Sequence, residues 1–259
     1  MKIVVCVKHV PDATADRGFD RDGVTERESV DSLLSELDEY AVEQALRIAE
    51  AGVDTSVTYL TVGPEPAREA LRKALAMGGD EGVHVVDDRL RATDGPGTAL
   101  VLAAAARHIG FDLVLCGMAS TDGGMGVVPA MLAEHLGVPA ATHLSELTLG
   151  LGTLSGVRDT ETATLTVQAT LPAVASVTDR SGEARYPSFK GIVAAKKKKV
   201  HTLGLDELGI DPGLVGTPGA RVKVEDAARR PPRAEGEIVA DSGDGGVRLA
   251  EFLASRKFI

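Results

Sequence analysis

The chain has 259 residues, with 38 acidic side chains against 28 basic ones and a formal net charge of −10. That balance disfavours a general nucleic-acid binder, which needs a net basic face to neutralise phosphates. Hydrophobic residues make up 44%, with no Trp, three Tyr and five Phe, so the core must be aliphatic, as in a parallel sheet covered by helices.

In chain order, Met1 to Val7 is a compact β-branched run and reads as the first strand of a buried sheet, stopping at "HVPD" because Pro11 cannot continue a ladder. The same N-terminal run is too short to span a membrane and lacks a small-residue cleavage site, so the protein is expected to be cytoplasmic. From Asp38, "DEYAVEQALRIAE" has helical spacing and closes at Gly52. "SVTYLTVGP" from Ser56 is the second strand, and "EPAREALRKALAMGG" a helix with acids early and bases later. "EGVHVVDD" is the third strand, "GTALVLAAAARHIG" the next helix, and Asp112 to Gly117 the fourth strand. Crossovers of this length make the strands parallel and right-handed, with ligands expected beyond their carboxyl ends, around His9 to Asp12, Val62 to Pro64 and Gly117 to Val128.

After Gly137 the Thr- and Gly-rich run from Leu147 to Asp179 alternates in short stretches, which predicts antiparallel strands added to the sheet. From Leu203 onward Gly, Pro and charge dominate until a short amphipathic helix in "VRLAEFLASRKFI". Such a tail has little to bury by itself. The fold class is therefore α/β, with a mainly parallel nucleotide-binding sheet, added antiparallel strands and an extended C-terminal arm.

The loop after the fourth strand carries glycines at 117, 123, 124 and 126 just before a helix. Backbone N–H groups left bare at a helix N-terminus form an anion site. Ser120 and Thr121 add hydroxyl donors, and Asp122 a carboxylate for a ribose hydroxyl or a cap. A G-x-G-x-x-G after the first strand and a G-x-x-x-x-G-K-S/T are both missing, against an ordinary Rossmann site or a P-loop. The six histidines are scattered and no Ser sits in a G-x-S-x-G elbow, so no catalytic nucleophile is indicated. Cys6 and Cys116 lie in apolar strands without metal-ligand spacing, which suits buried free thiols in a reducing compartment, with neither disulfide nor zinc site.

Five segments in order, "VVCVKHVPD", "ELDEYAVEQAL", "ALAMGGDEGVHV", "DLVLCGMASTDGG" and "LPAVASVTD", together with "RYPSFKGIVAAKKKKV", resemble the β subunit of electron transfer flavoproteins. The likeness is collinear from Met1 to about Val200 and weaker in the tail. It implies a heterodimer with an α subunit that carries FAD, a structural AMP on this chain, and an electron carrier without substrate turnover of its own. It further implies electron donors such as acyl-CoA dehydrogenases of fatty acid oxidation, and a membrane quinone oxidoreductase as acceptor. Carried over by position, AMP is expected at Cys6, at Ser35, Glu36, Leu37 and Asp38, at Val62, and along Gly117, Met118, Ala119, Ser120, Thr121, Asp122, Gly123, Gly124, Met125, Gly126, Val127 and Val128. Many members have Gln-Thr-Gly where this chain reads Gly126, Val127, Val128, Pro129. The departure removes phosphate donors, leaving backbone N–H groups to hold AMP or a different ligand in its place.

The resemblance also makes residues 1–202 the nucleotide-binding domain, with a recognition loop at 184–199, and residues 203–259 an arm packing on the α subunit. In that loop Tyr186, Pro187, Ser188, Phe189, Lys190, Gly191 and Ile192 are the expected partner contacts, with Phe189 as the anchor where others often have Leu. An exposed aromatic among small and polar residues has the composition of an interface hot spot. Lys196, Lys197, Lys198 and Lys199 follow, suited to steering acidic partners or supporting the loop. Two alternatives stand beside this reading: a bifurcating relative with a second FAD in place of AMP, and a stand-alone ATP-binding regulatory or stress protein.

Overall fold

The computed structural model describes residues 1–259 apart from 21, 22, 52, 53, 229, 234 and 237. The chain forms two compact units, Met1–Ala227 and Ala228–Ile259. In the first, β1 (Lys2–Cys6) leads to a small antiparallel pair, β2 (His9–Pro11) and β3 (Ser32–Leu34), and then α1 (Glu36–Glu50). β4 (Ser56–Val62), α2 (Arg68–Met77), β5 (Glu81–Val85), α3 (Gly95–Ile109), β6 (Leu113–Gly117) and α4 (Val128–Leu136) follow. Next come β7 (Ala140–Leu144), β8 (Glu146–Leu149), β9 (Thr153–Asp159), β10 (Thr164–Thr170), β11 (Ala173–Val177), α5 (Phe189–Ala195), β12 (Val200–Leu203) and the short α6 (Gly216–Gly219). The second unit contains α7 (Gly245–Ser255), on which Val247, Leu249 and Phe252 are exposed.

The main sheet has seven strands in the order β12-β5-β4-β1-β6-β11-β7, every pair parallel. Period-two alternation divides its side chains between two cores. Ile3 and Val5 face α1 and α2, while Val4 faces α3 and α4 with Leu60 and Val114. Among the described residues Tyr59 is the one aromatic side chain in the buried core, so the packing is aliphatic as the composition requires. After β1 the chain adds β4 and β5 on one side and then crosses to β6 on the other. The crevice between β1 and β6, at their carboxyl ends, is therefore the switch point.

Three expectations need correction. Pro11 does not lie beyond a ladder: it closes the β2–β3 pair opposite Ser32, in a two-stranded ribbon where a missing N–H is tolerated. The region from 147 to 179 does not add antiparallel strands to the main sheet. β8, β9 and β10 make a separate three-stranded antiparallel sheet, while β11 enters the main sheet between β6 and β7 as a parallel strand. All five residues of β11, Ala173–Val177, are buried, and a strand covered on both faces loses the alternation that would mark it. Helix α1 also starts before Asp38, at Glu36, with Glu36, Asp38 and Glu39 in its first turn. Its expected stop at Gly52 falls outside the described residues.

Residues 203–227 lie in the first unit, where Leu205, Ile210 and Val215 are buried against the α3–α4 side of the sheet.

Candidate functional site

The switch-point crevice is shaped by one buried carboxylate. Asp38, third residue of α1, accepts the backbone N–H of Lys8 at 2.9 Å, just past β1, and that of Gly117 at the end of β6. It ties the N-terminus of α1 to both central strands. A Cβ at Gly117 would stand 2.6 Å from Asp38 Oδ1 and 2.6 Å from the Leu37 carbonyl oxygen, so no side chain fits there. Burial pushes the Asp38 carboxyl up to about 7, against the two N–H bonds that hold it down.

The loop from Gly117 to Val128 leaves β6 and enters α4. Its turn is closed by the Gly124 N–H on the Ser120 carbonyl at 3.0 Å, and Gly124 and Gly126 take left-handed conformations at φ +60° and +68°. Helix α4 begins behind Val127 with no side-chain cap. Helix α1 is also uncapped by a side chain: its Ser35 makes no cap bond, and the buried Ser35 hydroxyl has no partner. Two helix N-termini that no side chain caps thus flank one crevice, an arrangement suited to an anionic ligand.

Positive charge gathers at the same loop. The Asp122 carboxylate, its side chain 1% exposed, pairs with Lys8 Nζ at 2.9 Å and Arg27 Nη2 at 2.6 Å. Its Oδ1 also accepts the Gly123 N–H at 2.7 Å, and Arg17 Nη1 donates to the Thr121 carbonyl at 2.9 Å. Burial alone would raise the Asp122 carboxyl, but the Lys8 charge and the bonds from Lys8, Arg27 and Ser120 hold it well below the usual carboxylate range. Lys8 and Arg27 thus converge on the Asp122 carboxylate, with Arg17 on the loop backbone beside them. A cleft of about 430 Å³ opens by Met118 on another side, but Asp159, Glu161 and Asp179 with Arg180 line it. Phosphate belongs with the cations rather than with three carboxylates.

The segment from Arg185 to Lys199 is held from both ends. Arg185 Nε donates to Glu43 Oε2 at 2.7 Å and its Nη2 to Glu50 Oε2 at 2.9 Å, clamping the entry onto α1. Ser188 Oγ accepts the Gly191 N–H at 3.0 Å and caps α5. A Cβ at Gly191 would lie 2.2 Å from the Ala76 carbonyl oxygen, so α5 crosses α2 at a point where only glycine fits. At the far end Arg72 Nη1 donates to the carbonyls of Ala195 at 2.6 Å and Lys198 at 3.0 Å. Lys198 turns inward, its Nζ donating to the carbonyls of Leu75 at 2.8 Å and Gly78 at 3.0 Å and so satisfying the C-terminus of α2. Lys196, Lys197 and Lys199 remain exposed. On this rigid base Tyr186 is 93% and Phe189 83% exposed, with Ile192 beside them.

Cys6, the Ser35–Asp38 turn, Val62 and the Gly117–Val128 loop all fall at the carboxyl ends of β1, β4 and β6, adjacent strands of the sheet. Lys8, Arg17 and Arg27 are site residues that sequence reasoning missed. Lys8 carried a signal, two positions past the end of the first strand; Arg17 and Arg27 sit in an irregular excursion with no periodicity to place them.

The fold and this crevice define a doubly wound parallel α/β protein with a glycine-rich loop, held by Lys8, Arg17 and Arg27, at its switch point. Residues 22–208 match the family model described as the electron transfer flavoprotein domain. The chain is 45% identical to a protein of Mycobacterium leprae (strain TN) named "Electron transfer flavoprotein subunit beta", with 99% of each chain covered. It is 34% identical to the protein of that name from Thermoanaerobacterium thermosaccharolyticum and 29% to that from Megasphaera elsdenii, each over the full length of both chains. The chain belongs to the electron transfer flavoprotein family, on its beta-subunit side. No helix among the described residues is long and apolar enough to cross a membrane.

Proposed function

We propose that this chain is the β half of a heterodimeric electron carrier, binding a structural AMP in the switch-point crevice and supporting the FAD-bearing α subunit. The strongest support is the full-length likeness to proteins named electron transfer flavoprotein subunit beta. The FAD supplies the redox chemistry, and this chain supplies orientation and electrostatics. The crevice suits an adenine nucleotide: the starts of α1 and α4, which no side chain caps, are available to its phosphate, with Lys8, Arg17 and Arg27 adding positive field. Cys6, the Ser35–Asp38 turn and Val62 line the nucleoside in this reading, which their position at the carboxyl ends of β1 and β4 and beside Gly117 supports. Asp122, with both oxygens already bonded, acts by holding the loop in place.

The segment 184–199 is the surface offered to flavin dehydrogenases such as acyl-CoA dehydrogenases, which donate electrons; a membrane quinone oxidoreductase receives them. A carrier must let go after each transfer, which suits a small contact anchored by one aromatic side chain over a large interface. Of the arm expected over residues 203–259, the part beyond the first unit, residues 228–259 with the apolar face of α7, packs on the α subunit, and the cytoplasm is the expected compartment. In the test, the chain is purified with its α partner and mixed with an acyl-CoA dehydrogenase and its substrate. Bleaching of the bound flavin supports the carrier role, and a flavin that stays oxidised with every flavin dehydrogenase tried would refute it.

A further inference from the structure

Two thiols stand side by side beneath the crevice. β1 and β6 are parallel neighbours with Val4 opposite Val114 and Val5 opposite Leu115, so one step further the register sets Cys6 opposite Cys116. Both pack on the α3–α4 face of the sheet. Both are free, with Cys6 partly buried at the end of β1 and Cys116 buried. Neighbouring strands run ~4.8 Å apart, inside the ~4.4–6.8 Å Cα separation that a disulfide spans. The neighbouring Cys6 thiol, with burial second, pushes the Cys116 thiol up. The pair is thus asymmetric: Cys6, at the strand end, is partly exposed, and Cys116 beside it is buried.

We infer that Cys6 and Cys116 form an oxidation site, a dithiol that hydroperoxides convert to an intramolecular disulfide under the nucleotide crevice. The Cys6 thiolate attacks one peroxide oxygen and the O–O bond breaks. With hydrogen peroxide the departing hydroxide takes up a proton as water, leaving Cys6 as a sulfenic acid. The Cys116 sulfur then attacks the Cys6 sulfur; the S–S bond forms, the S–O bond breaks, and hydroxide leaves as water with the proton from Cys116. Two thiols lose two electrons in total, and one hydrogen peroxide becomes two waters. A nucleotide covering Cys6 would shield the pair, a clause that rests on the proposed AMP site.

The α/β complex is treated with hydrogen peroxide, quenched with an alkylating agent, digested without reduction and analysed by mass spectrometry. A Cys6–Cys116 linked peptide, two hydrogens lighter than its parts and split by dithiothreitol, is the expected result. In Cys116→Ser the Cys6 sulfenic acid has no resolving partner and proceeds to sulfinic acid. Wild-type protein that accumulates sulfinic Cys6 while Cys116 stays free, or that leaves both thiols unmodified after nucleotide removal, would overturn the dithiol. Saturating AMP is expected to slow disulfide formation roughly tenfold or more relative to stripped complex, since access to the thiolate limits the rate. Equal rates with and without AMP would overturn the shielding and the placement of nucleotide over Cys6, while the linked peptide would still support the dithiol.

Discussion

Replacing Phe189 with Ala separates the docking role of the exposed segment from its folding role. Phe189 opens α5 and is 83% exposed, so it contributes little packing within the chain. A Phe side chain can bury ~150–250 Å², which at ~25 cal/mol per Å² gives an upper bound of roughly 4–6 kcal/mol for its full burial against a partner. Binding costs reduce that gain, and truncation of such an anchor is expected to lose about 2 kcal/mol, or ~30-fold in affinity. α5 keeps its Ser188 cap and its Arg72 and Lys198 clamps in the variant. The urea midpoint should therefore stay within error of wild type while the KM of a donor dehydrogenase for the complex rises ~30-fold. Unchanged kinetics with every dehydrogenase tested would refute the docking assignment. A matching fall in the urea midpoint would show that Phe189 serves the fold instead.

Gly191→Ala places a Cβ 2.2 Å from the Ala76 carbonyl oxygen and should destabilise the protein by ~1–3 kcal/mol as α5 is pushed off α2; a wild-type urea midpoint would contradict the close crossing. Asp38, raised from 3.8 to about 7, binds a proton more tightly folded than unfolded, so its stabilising contribution is full below pH 3.8 and is lost as pH rises through 7. Asp38→Asn should flatten that part of the profile of urea midpoint against pH, and an unchanged slope would show that Asp38 does not titrate there. Asp122→Ala frees Lys8 and Arg27 from the loop and should lower the AMP retained through purification; full occupancy would count against the loop's role. Deleting residues 228–259 should leave the first unit folded by circular dichroism but weaken the α/β complex on size exclusion, and an intact heterodimer would remove the arm's role.

The parallel half of the sheet was readable because β1, β4, β5 and β6 are apolar runs separated by helices of ordinary length. β11 was not, because Ala173 to Val177 is buried on both faces and follows a Thr-rich antiparallel region whose alternation masks it. Pro11 misled in the other direction, since a ribbon of two short strands tolerates the missing donor that a central strand would not. The glycine loop announced itself through composition. Its charge did not: Lys8, Arg17 and Arg27 reach Thr121 and Asp122 across about a hundred residues of chain, and such long-range pairs leave no local pattern. The lysine run was visible as charge, but which of its members turns inward depends on where the carbonyls of Leu75 and Gly78 end α2.

The most direct test of the central claim is a nucleotide inventory of the complex. The chain is co-expressed with its α partner, the purified complex is denatured, and the released nucleotides are identified and quantified by mass. One FAD and one AMP per heterodimer is the predicted result. Two FADs and no AMP would contradict the structural-AMP site and indicate a bifurcating carrier, while ATP bound to this chain without a stable partner would contradict the heterodimer itself.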